Sequence, residues 1–288
     1  MISQESPGVV GPPVVVGIDG SDWASRAVAW AAGEAAARHA PLTVVHATGV
    51  PGVAARQDWL EASHRDARAM LDRAAEVAAR VAPGIRVRRK VSDASPVEAL
   101  TELSKTARLV VVGCTGRGAV GDALLGSVPL GLVGRSFRPV AVVRGRLAVV
   151  GAPVAVGLDG GTADQDLLAV AFDEAAVRRA QLVVVHALGD WEAARAFNLG
   201  RTRECARERA LAESVSGWRE KYPDVPVQLV SAGMGPRHQL LRWSQVACLL
   251  VVGTGRRAGL HGAGFGSVNH VLIHHADCPV LVVPGTGA

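Results

Sequence analysis

The sequence predicts an α/β protein built from two tandem doubly wound domains, each a five-stranded parallel sheet with helices on both faces. Two observations carry this reading. The first is that the 288-residue chain repeats itself at a constant offset of 140. VVVGIDGS (14–21) returns as VAVGLDGG (154–161), and APLTVVHA (40–47) as AQLVVVHA (180–187). LVVVG (109–113) returns as LLVVG (249–253), LLGSV (124–128) as GFGSV (264–268), and RPVAVV (138–143) as CPVLVV (278–283). One offset shared by all these blocks means a whole domain duplicated with almost no insertion. The second observation is that short Val, Ile and Leu runs alternate with helical patterns inside each copy. Continuous apolar strands separated by helices specify a parallel sheet covered on both faces, and right-handed crossovers wind it in both directions. The domains are expected at residues 1–145 and 151–288, with the junction near RGRLAVVGAP (144–153).

In copy one the strands are expected at 14–18, 42–47, 85–91, 108–112 and 139–143. Between 22 and 39, Ala24, Ala27, Val28, Ala31 and Ala35 share one helical face. Between 58 and 82, Met70, Ala74, Val77 and Val81 do the same. Ser95 followed by Pro96 is a helix start, because serine caps the free N–H groups and proline suits the first turn. The basic run RVRRK (86–90) falls on strand three and reads as charge guarding an exposed sheet edge against stray pairing, with a polyanion site as the alternative.

Composition narrows the class. Hydrophobic residues make up 49% and charged residues 20%, which describes a core-rich globular chain. No apolar run reaches the roughly 18–20 residues of a membrane span. MISQESPGVVGPP (1–13) has neither the basic nor the apolar region of an export signal, so a cytoplasmic location is expected. Cys114, Cys205, Cys248 and Cys278 show no zinc-binding spacing and are expected as reduced thiols. The net charge of +5 permits anionic ligands, but no helix concentrates Lys and Arg with base-reading residues, which argues against nucleic acid. His46 and His186 end strand two in each copy and read as packed or capping histidines. HHADC (274–278) has no metal spacing and reads as a solvated helix end; no metal site is expected. The six tryptophans do not repeat at the offset and read as packing residues or surface anchors, with a partner surface as the alternative. No Ser-His-Asp, Cys-His or paired-carboxylate motif is visible.

In a doubly wound sheet, ligands bind beyond the carboxyl ends of the strands. Two segments of each copy lie there: GIDGS (17–21) after strand one and the glycine loop after strand four. The loop is no Walker A sequence, since no Lys follows its glycines, and GIDGSDWA lacks the spacing of the dinucleotide fingerprint. The spacing Gly113-x2-Gly116-x9-Gly126-Ser127 instead lets backbone N–H groups approach an anion and leads into a helix start. Ser127 adds a hydroxyl, and Asp19 can accept from a ribose. Acid for sugar and glycines for phosphate is the chemistry of a nucleotide site. Without the lysine, phosphate is held by backbone dipoles, with Mg²⁺ as a candidate companion, and not by a group that stabilises transfer.

The βαβαβ order, the Asp after strand one, Gly-x2-Gly-x9-Gly-Ser and the terminal PVxVV strand resemble the universal stress protein family, in its tandem two-domain form, across 14–144 and 154–284. The resemblance implies binding of an adenine nucleotide, ATP or AMP, by a stress-response regulator that is not an enzyme. It places Asp19 near the ribose, Ala47 near the adenine, Val112 and Gly113 along base and sugar, and Gly116, Gly126, Ser127 and Val128 on the phosphates. Copy two offers Asp159, Ala187, Val252, Gly253, Gly266, Ser267 and Val268, but Arg256 stands in place of the second glycine and Gly161 in place of Ser21. Family members commonly dimerise through their last strands. The resemblance therefore implies a homodimer or an internal pseudo-dimer, with 138–143 and 278–283 as pairing candidates. A slow ATPase and a nucleotide-free partner-binding module are the alternatives.

Overall fold

The apolar runs become strands, and the alanine-rich stretches between them become helices, in a computed structural model that describes residues 11–49, 57–116, 126–147, 151–158, 164–187, 201–232, 235–254 and 267–285. The chain divides into two compact units, one of residues 1–118 and 136–138, the other of 119–135 and 139–288. The first contains β1 (Val14–Ile18), α1 (Asp22–Ala37), β2 (Leu42–Ala47), α2 (Gln57–Val81), β3 (Val87–Ser92), α3 (Pro96–Ser104) and β4 (Leu109–Gly113). Its strands are parallel in the order β3-β2-β1-β4. Val14, Val16, Leu42, Val44, Val110 and Val111 are fully buried, because helices cover both faces of these strands.

Local chemistry explains the element ends. The Ser21 hydroxyl accepts from the Ala24 N–H at 3.1 Å and starts α1. Ser95 and Glu98 form a reciprocal capping box at the start of α3, with Pro96 in the first turn. The predicted buried face of α1 is observed: Ala24, Ala27, Val28, Ala31 and Ala35 are all buried. The predicted face of α2 is corrected. Ala67, Leu71, Ala74, Ala78 and Ala82 are buried, whereas Val81 is 48% exposed. Ala74 of the predicted face is buried as expected and Met70 and Val77 are half-buried, so the buried side is rotated toward Leu71 and Ala78 and away from Val81. β3 ends its sheet order, and Arg88, Arg89 and Lys90 are exposed there, with Arg89 paired to Asp72 of α2.

The second unit contains α4 (Ser127–Val133), β5 (Val140–Val143), β6 (Val154–Leu158), α5 (Asp164–Arg178), β7 (Leu182–Ala187), α6 (Arg201–Lys221), β8 (Val227–Ala232), α7 (Pro236–Ser244), β9 (Leu249–Gly253), α8 (Ser267–His275) and β10 (Val280–Val283). Its strand order is β5-β10-β9-β6-β7-β8. The last five are parallel; β5 runs antiparallel to β10, with Val142 opposite Val280 and Val140 opposite Val282. The strands named above as pairing candidates are therefore neighbours in one ladder, which draws β5 into this unit. The chain after β5 stays attached. Arg144 Nη1 donates to the Ile273 carbonyl at 2.5 Å, and the Arg146 N–H donates to the Asp277 carbonyl at 2.8 Å.

The duplication extends to packing. An added Cβ at Gly17 would meet Leu100 Cδ1 at 2.8 Å, and one at Gly157 would meet Leu240 Cδ1 at 2.9 Å. Ser104, fully buried, donates to the Thr101 carbonyl at 2.6 Å and accepts from the Phe137 N–H at 3.0 Å. Ser244 repeats this with the Leu241 carbonyl at 2.7 Å and the Asp277 N–H at 3.0 Å. Alanine at either serine strands a part-buried backbone N–H, so Ser104→Ala and Ser244→Ala should each cost about 1–3 kcal/mol by urea denaturation. Unchanged stability would mean water satisfies the amide. The copies differ at Phe172, which is buried against Trp218 and Tyr222 with ring centroids 6.0 and 5.5 Å away; Ala32 holds the equivalent place in copy one. Among the described residues no helix is long and apolar enough to cross a membrane.

Candidate nucleotide site

At the carboxyl end of β1 the chain must turn sharply into α1. Gly20 supplies the left-handed backbone this needs, at φ 81°. Asp19 Oδ1 accepts from the Ser21 N–H at 3.0 Å, which fixes the carboxylate at the mouth of the turn. Gly113 ends β4 directly against this turn: an added Cβ would meet the backbone C and O of Trp23 at 2.9 Å. Three residues on, a Cβ at Gly116 would meet Asp19 Oδ2 at 2.6 Å. The glycine loop and the predicted sugar-binding acid thus come together in the first unit. Glycine lets the loop backbone lie against the carboxylate; a larger residue would push it aside.

Ala47 ends β2 beside Ser92 of β3, and Val112 is buried in β4. His46 Nδ1 lies 2.8 Å from the Ile18 carbonyl. A carbonyl can only accept, so Nδ1 carries the proton, and the ring ties β2 to the end of β1 as the packed histidine expected. Gly126 precedes α4 in an extended conformation with no side-chain cap bond, Ser127 is exposed, and Val128 is half-buried; all three belong to the second unit.

A polar cluster that the motifs did not reveal sits past β2 and β3. Thr48 Oγ1 lies 3.3 Å from Asp93 Oδ1, and His64 Nε2 lies 2.7 Å from the same oxygen. The His64 hydrogen bond holds Asp93 below the usual carboxylate range. Because one oxygen serves both neighbours, this is no relay from acid through base to nucleophile. Only the Thr48 and Asp93 positions immediately after two strand ends could have signalled it.

In the second unit, Val252 is buried and Gly253 ends β9, where a Cβ would meet Leu167 Cδ1 at 3.2 Å. Ser267 and Val268 open α8. Buried Asn269 donates from Nδ2 to the Gly253 carbonyl at 2.5 Å, pinning the first turn of α8 to the end of β9. Two of the predicted elements, the strand for base and sugar and the helix for phosphate, are joined there by a residue the motif reading missed. Copy one has Pro129 at that position, so the repeat gave no signal. Ala187 ends β7 opposite Ala232. Asp159, Gly161, Gly255, Arg256 and Gly266 lie outside the described residues. Cys114, Cys248 and Cys278 are buried thiols, and burial pushes Cys278 up to about 12. The side chain of Cys205 lies outside the described residues.

The profile of the Universal stress protein family matches residues 12–144 and 152–284. A universal stress protein of Mycobacterium tuberculosis strain H37Rv is 38% identical over 282 residues, covering 93% of this chain and 96% of its own length. A second from the same strain is 37% identical over 288 residues, covering 93% and 95%. The crystal structure of a universal stress protein from Archaeoglobus fulgidus DSM 4304 has the same fold, with a TM-score of 0.73 at 18% identity over 97% of this chain and 98% of that one. Both copies match the profile, and the relatives align along nearly their whole length: the chain is a tandem member of the universal stress protein family.

Proposed function

We propose that the chain is a stress-response regulator that binds an adenine nucleotide, ATP or AMP, beyond the first and fourth strands of each copy and has no dedicated catalytic machinery. In the first copy Asp19 accepts from the ribose, the backbone of Ala47 faces the adenine, Val112 and Gly113 line base and sugar, and Gly116 admits the phosphates. The family pattern assigns Gly126, Ser127 and Val128 to phosphate. In the second copy it assigns Asp159, Ala187, Val252, Gly253, Gly266, Ser267 and Val268 to the same roles. Mg²⁺ accompanies the phosphates, and the protein works in the cytoplasm, as a homodimer or as a single chain whose two copies mimic one.

The observation that supports this most is the approach of Gly116 to the Asp19 carboxylate, where a Cβ would come within 2.6 Å of Oδ2. A nucleotide site needs that close placement of acid and open backbone; a plain turn does not. Titration of ATP by calorimetry tests it with Gly116→Leu, whose uncharged side chain fills the space against the Asp19 carboxylate and offers no cation to the phosphates. The variant should bind one nucleotide fewer per chain than the wild type. Equal stoichiometry and affinity in both proteins would overturn the reading.

A further inference from the structure

We propose that His270 and His274 of α8 form a binding site for a late divalent transition metal of the copper, nickel and zinc class. The residues stand four apart on one helix, which puts both side chains on one face. Their ring centroids are 4.3 Å apart and their planes inclined by 34°. That separation is close to what chelation requires. Metal–imidazole bonds are about 2.0–2.1 Å, so two rings on one ion have centroids about 4.5 Å apart at the right angle that copper and nickel favour and about 5.2 Å apart at the tetrahedral angle of zinc.

Ligand chemistry sets the class of metal. Imidazole nitrogen suits copper, nickel and zinc and is a poor ligand for magnesium and calcium. Among the described residues no group of three His, Cys, Asp or Glu side chains gathers around a cation position, so water completes the coordination. The ion therefore sits in an open site and not in a closed structural one. His270 is exposed, which gives the ion an approach from solvent. The His275 ring is 5.9 Å from that of His274, but adjacent residues on a helix diverge and do not chelate together. His274 lies in the last turn of α8, where the helix dipole favours a cation, and His270 stands one turn before it.

The site belongs to the second copy alone. At the offset of 140 the first copy carries Leu130 and Gly134, which cannot ligate. It also stands apart from the nucleotide reading, since neither histidine is assigned to base, sugar or phosphate. The chelating pair is His270 with His274, one turn apart, and not the adjacent His274 and His275 of HHADC.

The test uses the untagged full chain, stripped with chelator and titrated with nickel, then zinc, at about pH 7.5, where imidazoles are largely neutral. The wild type should bind nickel and zinc, and magnesium should give no heat. His270→Ala should weaken nickel binding at least about tenfold, the size that even an outer-shell partner contributes. His275→Ala should leave it within about twofold, by the divergence of adjacent helix positions. His274→Ala should match His270→Ala; if loss of that half-buried ring unfolds the helix, the exposed His270→Ala variant decides alone, with its melting temperature without metal as the folding control. No binding by the wild type, or binding that His270→Ala leaves intact, would overturn the proposal.

Discussion

Gly145→Ala is expected to destabilise the second unit by about 4 kcal/mol or more, at the upper end for single substitutions. Gly145 has φ 57°, a left-handed conformation that costs an L-residue about 1–2 kcal/mol. The larger part is steric. An added Cβ would overlap the carbonyl carbon and oxygen of Asp277 and approach its Cα at 2.8 Å. These are backbone atoms, so no side-chain rotation relieves the clash. Separating the segments breaks the 2.8 Å hydrogen bond from the Arg146 N–H to the Asp277 carbonyl. It also pulls on Arg144, which holds the Ile273 carbonyl of α8. Gly151→Ala is the matched control: its φ is 82°, but a Cβ there meets nothing within 4 Å, so about 1–2 kcal/mol is expected. Urea denaturation of both variants measures the difference. Equal effects would mean that the chain after β5 does not pack tightly on the β10 side.

Asp19→Asn should weaken ATP binding at one site per chain by about tenfold to a hundredfold, the worth of a charged hydrogen bond to a ribose hydroxyl. Asparagine is the informative change. Its amide oxygen can still accept from the Ser21 N–H, the 3.0 Å bond that holds the turn into α1. Stability should therefore change little while affinity falls. Titration of ATP alongside a thermal melt separates the two effects. Tighter binding by the variant would place the carboxylate beside the phosphates, where its negative charge opposes the ligand. Unchanged binding would place it outside the site.

Much of this architecture could be read from the residues. The 140-residue offset and the Val-rich runs predicted each strand of copy one to within two residues, because a buried parallel strand needs little beyond continuous apolar side chains. Ser95 and Pro96 announced α3 for a local reason, since capping involves only neighbours in sequence. The face of α2 was misplaced because alanine carries a weak periodic signal: Ala67, Ala74, Ala78 and Ala82 line the buried side while Val81 faces water. What stayed hidden depends on distant partners. Nothing near Gly145 in sequence announces Asp277, and nothing near Asn269 announces the Gly253 carbonyl. The motif placed Asp19 and Gly116 in one site for a chemical reason, and their close approach depends on β1 and β4 being neighbours in the sheet.

The most direct measurement is to denature freshly purified protein and identify and count the small molecules released per chain. A ligand that survives purification needs a Kd near micromolar or tighter, about −8 kcal/mol. The account predicts ATP or AMP, one per chain if only the first copy is occupied and two if Arg256 is tolerated in the second; no released nucleotide, followed by no binding of added ATP or AMP, would contradict it.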